Sequence, residues 1–258
     1  MNKLANSLQQ GKACVPFLTC GDPDLATTAA LIKSLSQGGA DLLILGLPFS
    51  DPTAETPSIQ SASLRSLANG TTTDTFFTFL RHLRAELTIP LVVMTYANVV
   101  FSYGCDRFLA TCAELGLAGL LLPDVPWEEK AEFASVCAKY DLVLISTLAP
   151  ASDTRMAKIA QEAQGFLYLE PALEVSATGE ELLAPLAAML KVIRAQTTIP
   201  CLLGCGLTTP AQVRTLSSAT DGIIVGSALA RLIEQHGTNS PQLVEHYLQT
   251  LKLALSEG

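Results

Sequence analysis

The chain is poor in the residues on which much enzyme chemistry depends. Of its 258 residues only three are histidine, four methionine and one tryptophan. His82, His236 and His246 sit in helical or terminal contexts, none near a nucleophile or a metal-like cluster. That sets aside a zinc centre and a Ser-His-Asp triad. Lysine and arginine number 16 against 24 acidic residues, and a net charge of −8 argues against nucleic acid as the partner. An anionic ligand stays open, provided backbone N–H groups rather than lysines hold it. No apolar run approaches the ~18–20 residues of a membrane span. The stretch 1–12 is polar and lacks the apolar centre of a signal peptide. The seven cysteines (Cys14, Cys20, Cys105, Cys112, Cys137, Cys201 and Cys205) make no paired framework and no Cys-x-x-Cys. They read as reduced, mostly buried small residues of a cytosolic protein.

What the chain does have is hydrophobic residues, 49% of it, and a repeating β-α unit without a linker or low-complexity break. Short apolar runs at Cys14–Cys20, Leu42–Leu45, Leu91–Tyr96, Gly119–Leu122, Leu142–Leu148, Gly165–Leu169, Cys201–Leu203 and Gly222–Val225 predict strands buried on both faces. Helical patterns are predicted over 1–12, Leu25–Gln37 (with Asp22 as cap), Ser58–Leu67, Thr73–Leu87, Cys105–Leu115, Glu128–Lys139 and Asp153–Ala163. Eight such units in one chain predict a single (β/α)8 barrel over 1–258, a fold that typically takes about 250 residues. A doubly wound open sheet would bring a Gly-rich fingerprint after the first strand, and Thr19-Cys20-Gly21-Asp22 is not one.

Barrel sites lie at the C-terminal ends of the strands. Here those ends offer Asp22, Ser50-Asp51 with Glu55, Tyr96 with Asn98, Asp124, Tyr168 with Glu170, Gly204-Cys205-Gly206, and Gly226-Ser227. A glycine turn after strand seven and Gly-Ser opening a helix after strand eight form a cup for phosphate, with N–H groups and a helix dipole facing the anion. Cys205 within that cup reads as an inert small residue. The run Leu42–Pro57 combines a buried strand with a polar, proline-rich loop carrying two carboxylates, yet after Asp41 the strand itself holds no ionisable group.

These blocks resemble the tryptophan synthase α subunit family: Val15-Pro16-Phe17-Leu18-Thr19 with Gly21-Asp22-Pro23, Leu45-Gly46-Leu47-Pro48-Phe49-Ser50-Asp51-Pro52, Met94-Thr95-Tyr96-Ala97-Asn98, Pro123-Asp124-Val125-Pro126 and Gly226-Ser227-Ala228. The resemblance covers nearly the whole chain. It implies retro-aldol cleavage of indole-3-glycerol phosphate to indole and glyceraldehyde 3-phosphate without metal or cofactor. It also implies a PLP-dependent β subunit as partner in an α2β2-type complex. By position, Phe17 and Leu121 would flank the indole, with Tyr96 in the same pocket, and Tyr168 would line the reacting centre. Gly179, Gly204, Gly206, Gly226 and Ser227 would hold the phosphate. Pro48, Asp51, Pro52 and Asn98 would lie on the surface that meets the β subunit.

Departures from the family pattern fall where the chemistry is. Its strand-two glutamate, the general acid/base, is here Ile44. Its Ala-Asp-Gly-Pro loop is here Ala54-Glu55-Thr56-Pro57, and the loop after strand six, 170–179, is longer. A positioned acid/base contributes about 10²–10⁴ in rate, and isoleucine moves no protons. The expectation is a subunit that binds a phosphorylated ligand and a β partner, with cleavage impaired or absent and an allosteric role. Two alternatives stand beside it. One is an active lyase whose carboxylates have moved to Glu55 and Glu170; the other is a barrel enzyme for another phosphorylated substrate.

Overall fold

In the computed structural model, which describes residues 4, 7–8, 11–170, 179–204, 206–207 and 209–257, eight parallel strands close into a barrel in chain order, β1 pairing with both β2 and β8. They are β1 Ala13–Thr19, β2 Leu43–Gly46, β3 Leu91–Met94, β4 Gly119–Leu121, β5 Val143–Leu148, β6 Leu167–Leu169, β7 Cys201–Leu203 and β8 Gly222–Val225. Alternate residues point opposite ways. Val15, Phe17, Ile44, Val92, Met94, Leu121, Ile145, Tyr168, Leu202 and Ile224 pack together inside the barrel. Cys14, Leu18, Leu43, Leu45, Val93, Leu120, Leu203 and Val225 pack outward against the helices. With both faces buried, the strands read as unbroken apolar runs rather than as alternation. Ile44 stands in register with Phe17 on one side and Val92 on the other, 1% exposed.

The helices are α1 Leu25–Gln37, α2 Pro57–Ala68, α3 Thr73–Leu83, α4 Ala97–Tyr103, α5 Cys105–Glu114, α6 Ala131–Lys139, α7 Asp153–Glu162, α8 Glu180–Arg194, α9 Pro210–Ser217, α10 Ser227–His236 and α11 Pro241–Glu257. Several begin where a local cap allows it. The Thr72 and Thr209 side chains close capping boxes, and Pro57 and Pro210 occupy first-turn positions whose N–H would be unpaired anyway. No described helix is long and apolar enough to cross a membrane.

Several boundaries differ from the sequence expectation, each for a local reason. Asp24, not Asp22, caps α1: its Oδ1 accepts from the Thr27 N–H at 2.7 Å. A cap must directly precede the first helical residue, and Asp22 lies two positions too early. Asp22 instead is buried, accepting two bonds from the Arg65 guanidinium of α2 at 2.8 and 2.9 Å. The helix expected to reach Leu87 stops at Leu83 and tightens into a 3₁₀ turn, Arg84–Glu86. The one expected over 128–139 divides into a 3₁₀ turn, Trp127–Glu129, and α6. The strand expected to reach Tyr96 ends at Met94, and α4, which was not anticipated, follows directly until Gly104 at φ 92° ends it. Most of the leading helix expected over 1–12 lies outside the described residues. Leu4 and Leu8, which are described, are buried in the interior cluster.

Candidate active site at the barrel mouth

The C-terminal rim brings β1, β2, β3, β6, β7 and β8 around one small space. A cavity of ≈ 20 Å³ is bounded by Phe17, Ile44, Glu55, Thr56, Tyr168, Gly206, Gly226 and Ser227, together with Ile59, Met94, Leu207 and Ile224. That is room for about one water molecule. Ile59, Met94, Leu207 and Ile224 were missed from the sequence. Inward alternation could have identified Met94 and Ile224, each two residues from another inward position; nothing local marks Ile59 or Leu207. A second space of ≈ 10 Å³, reached by Thr19, Tyr96 and Glu55, adjoins it. Thr19 is 7% exposed, and its Oγ1 has no hydrogen-bond partner among the described residues. Leu121 belongs to the interior cluster but borders neither space. A much larger void of ≈ 660 Å³ lies outside the barrel between α7 and α8, lined mainly by apolar side chains such as Met156, Leu182, Leu186 and Met189.

The glycines of the cup are constrained by what touches them. At Gly204 a Cβ would lie 1.8 Å from Cε2 of Tyr168, so the phenol ring rests on bare backbone. At Gly226 a Cβ would meet Phe17 Cδ1 and Ile59 Cδ1, each at 3.1 Å. Gly226 directly precedes Ser227, the first residue of α10, whose first-turn N–H groups lack partners within the helix. Thr56 Oγ1 lies 2.8 Å from Ser227 Oγ, joining the loop after β2 to this helix start. Gly179 opens α8 at φ 72° and borders neither mouth space. Cys205 and residues 171–178 of the loop after β6 lie outside the described residues.

Glu55 carries the most perturbed carboxyl of the mouth. Its N–H donates to the Pro52 carbonyl at 3.0 Å, and its own carbonyl accepts from Gln60 Nε2 at 2.9 Å. Burial, and then the negative charge of Glu170, push its carboxyl up to about 7. Glu170 follows β6, its N–H donating to the Leu148 carbonyl at 3.0 Å, and burial raises its own carboxyl. β2 and β6 stand across the barrel from one another, so this coupling spans the mouth. The Tyr96 hydroxyl accepts from the Ala54 N–H at 3.1 Å, holding the loop down, and burial followed by the Glu55 charge keeps the phenol protonated. Asp51 and Asn98 are exposed at the rim, whereas Pro48 and Pro52 are buried beneath it.

A pH dependence follows from Glu55. Its folded value lies above that of an unfolded carboxyl, so the native state binds the extra proton between roughly pH 4.5 and 7. This stability is fully present below the unfolded value and is lost as pH rises through about 7. Wild type should therefore lose melting temperature between pH 5.5 and 8, and Glu55→Gln should flatten that slope. A slope unchanged by the substitution would assign the proton elsewhere.

The chain is similar to known proteins in sequence and in fold. The family described as Tryptophan synthase alpha chain matches residues 4–256. A tryptophan synthase alpha chain of Lacticaseibacillus casei is 38% identical over 255 residues, 99% of this chain and 96% of that one. One from Shouchella clausii is 41% identical over 235 residues, 90% and 87% of the two chains. Among solved structures, subunit alpha from Legionella pneumophila superposes with a TM-score of 0.89 at 33% identity, covering 100% of both chains. A chain from the tryptophan synthase a2b2 complex of Pyrococcus furiosus gives 0.84 at 28% identity over 94% of this chain and 99% of that one.

Proposed function

Since the chain belongs to the tryptophan synthase alpha chain family, we propose that it acts in the cytoplasm as an α-type subunit that binds a phosphorylated ligand at its barrel mouth and a β subunit on its rim, with its own retro-aldol cleavage impaired. Ile44 carries this reading. It occupies the position of the general acid/base and lines the same cavity as Tyr168, Gly226 and Ser227, with no proton to move. Cleavage of indole-3-glycerol phosphate needs a base for the hydroxyl on the carbon bound to indole, and an acid that protonates indole C3 as the C–C bond breaks. Burying Ile44 stabilises the barrel by roughly 2 kcal/mol. The missing group removes about 10²–10⁴ from the rate.

One observation favours a second reading, a relocated catalyst. A carboxyl near 7 is divided between its two protonation states at neutral pH, which suits it to take or give a proton. The test is indole release from indole-3-glycerol phosphate by wild type and Glu55→Gln, each with a cognate β subunit. The impaired reading expects a rate lower by about 10²–10⁴ than that of an α subunit with glutamate at this position. Rapid wild-type release that Glu55→Gln abolishes would establish the relocated catalyst instead.

The β partner is supported by the exposed rim loop, where Ser50 Oγ donates to Asp51 at 2.6 Å. A cognate β subunit should convert indole faster when this chain is bound. Asp51→Ala should weaken the complex by roughly 10- to 100-fold, the scale of one hydrogen bond to a charged group. Separate elution of the pair with unchanged β kinetics would refute the partnership.

A further inference from the structure

Threonine is a good helix cap, yet Thr56, the cap residue of α2, makes no capping bond to its own helix. Its hydroxyl reaches instead across 171 positions of sequence to Ser227 Oγ at 2.8 Å, with Ser58 Oγ at 3.3 Å on its other side. The starts of α2 and α10 are thereby held together, and Arg65 of α2 bonds Glu234 of α10 further along. We propose that Thr56 is a positioning residue for the anion cup: it donates its hydroxyl proton to Ser227 so that Ser227 turns its single proton onto a phosphate ester. The inference rests on the phosphate-binding reading above.

Counting protons supports this direction. A serine hydroxyl has one proton and two lone pairs. A phosphate oxygen only accepts, so Ser227 binds the anion by donating to it. The remaining partner of Ser227, Thr56, is then obliged to donate, and Ser58 or solvent to supply Thr56 in turn. Chained donors of this kind strengthen one another in a half-buried site. In the empty cup either polarity serves. Anion binding selects one, and a side chain that cannot donate leaves the Ser227 proton unoriented.

The experiment is a double-mutant cycle read by calorimetry with glycerol 3-phosphate. Thr56→Val keeps the shape and removes the donor; Thr56→Ser restores it. The expected result is a roughly 3- to 10-fold weaker affinity for Thr56→Val, near wild-type affinity for Thr56→Ser, and no further loss when Thr56→Val is added to Ser227→Ala. Indole, which lacks the phosphate, should bind wild type and Thr56→Val alike. Circular dichroism melting confirms that each variant is folded. Wild-type affinity in Thr56→Val, or the same loss in the Ser227→Ala background, would overturn the positioning role. Undiminished binding by Ser227→Ala would overturn the role of the Ser227 hydroxyl and with it that of Thr56; no binding of glycerol 3-phosphate by wild type would overturn the cup itself, a distinct failure.

Discussion

Ile44→Glu combined with Glu55→Asp and Thr56→Gly should raise indole release from indole-3-glycerol phosphate by about 10²-fold or more over wild type, within the range of one positioned acid/base. The single substitution Ile44→Glu should recover little, about 10-fold at most, because Glu55 would still crowd and misplace the second carboxyl. The gain of the triple variant should exceed the product of its parts, since all three groups act on one bound substrate. KM should rise at the same time as kcat, because the Thr56 hydroxyl beside Ser227 is lost. The new carboxylate enters a site that is 1% exposed, and burying it costs several kcal/mol unless it is protonated. The measurement is therefore steady-state indole release by folded protein, checked by melting, with the β subunit present. A folded triple variant that binds ligand and gains nothing would place the defect outside Ile44.

Arg65→Ala should cost on the order of 3 kcal/mol of stability at neutral pH, the largest loss expected here from one surface-reaching side chain. Asp22 is 1% exposed, and its carboxylate is held by the two Arg65 bonds at 2.8 and 2.9 Å. Removing the guanidinium leaves that charge buried without a partner. Even with Arg65 in place, burial raises the Asp22 carboxyl. In the variant it is raised further, so the native state takes up a proton and the loss shrinks as pH falls toward 4. Urea denaturation of wild type and variant at pH 4.5 and 7 tests both the size and the pH trend. Equal losses at the two pH values would show that the damage is lost packing rather than a stranded charge. Phosphate-ester affinity should fall as well. Arg65 also bonds Glu234 at 2.7 Å and so ties α2 to α10, the helices whose starts carry Thr56 and Ser227.

The strands and the barrel were legible because burial on both faces writes itself into the chain as short apolar runs. Gly206 and Gly226 were legible as turns behind the seventh and eighth strands, and both border the space at the mouth. Other features were hidden by distance or by competition. α4 begins directly behind a strand and is only seven residues long, too short for periodicity to declare it. Asp24 directly precedes Leu25, so the cap itself was locally legible; the role of Asp22 was not, because its partner Arg65 lies 43 positions away. Glu55 and Glu170 were each visible as carboxylates at strand ends. That they influence one another depends on the curvature of the closed barrel, which no local pattern encodes. Thr56 was visible as a residue out of keeping with the family loop, but its partner Ser227 lies in the last quarter of the chain.

The seam between β1 and β8 has a consequence for synthesis. Ala13 pairs with Gly222, so the first strand made waits for about 200 residues before its second neighbour exists. At about 5–20 residues per second this is on the order of ten to forty seconds on the ribosome. Phe17, which covers Gly226, leaves the ribosome about 200 residues before Gly226 and Ser227. Until then the nascent chain lacks the residues proposed to hold the anion, and no ligand bound there can stabilise it. Until β8 arrives the open edge of β1 is exposed to any strand that will pair with it, a liability that only completion of the ring removes.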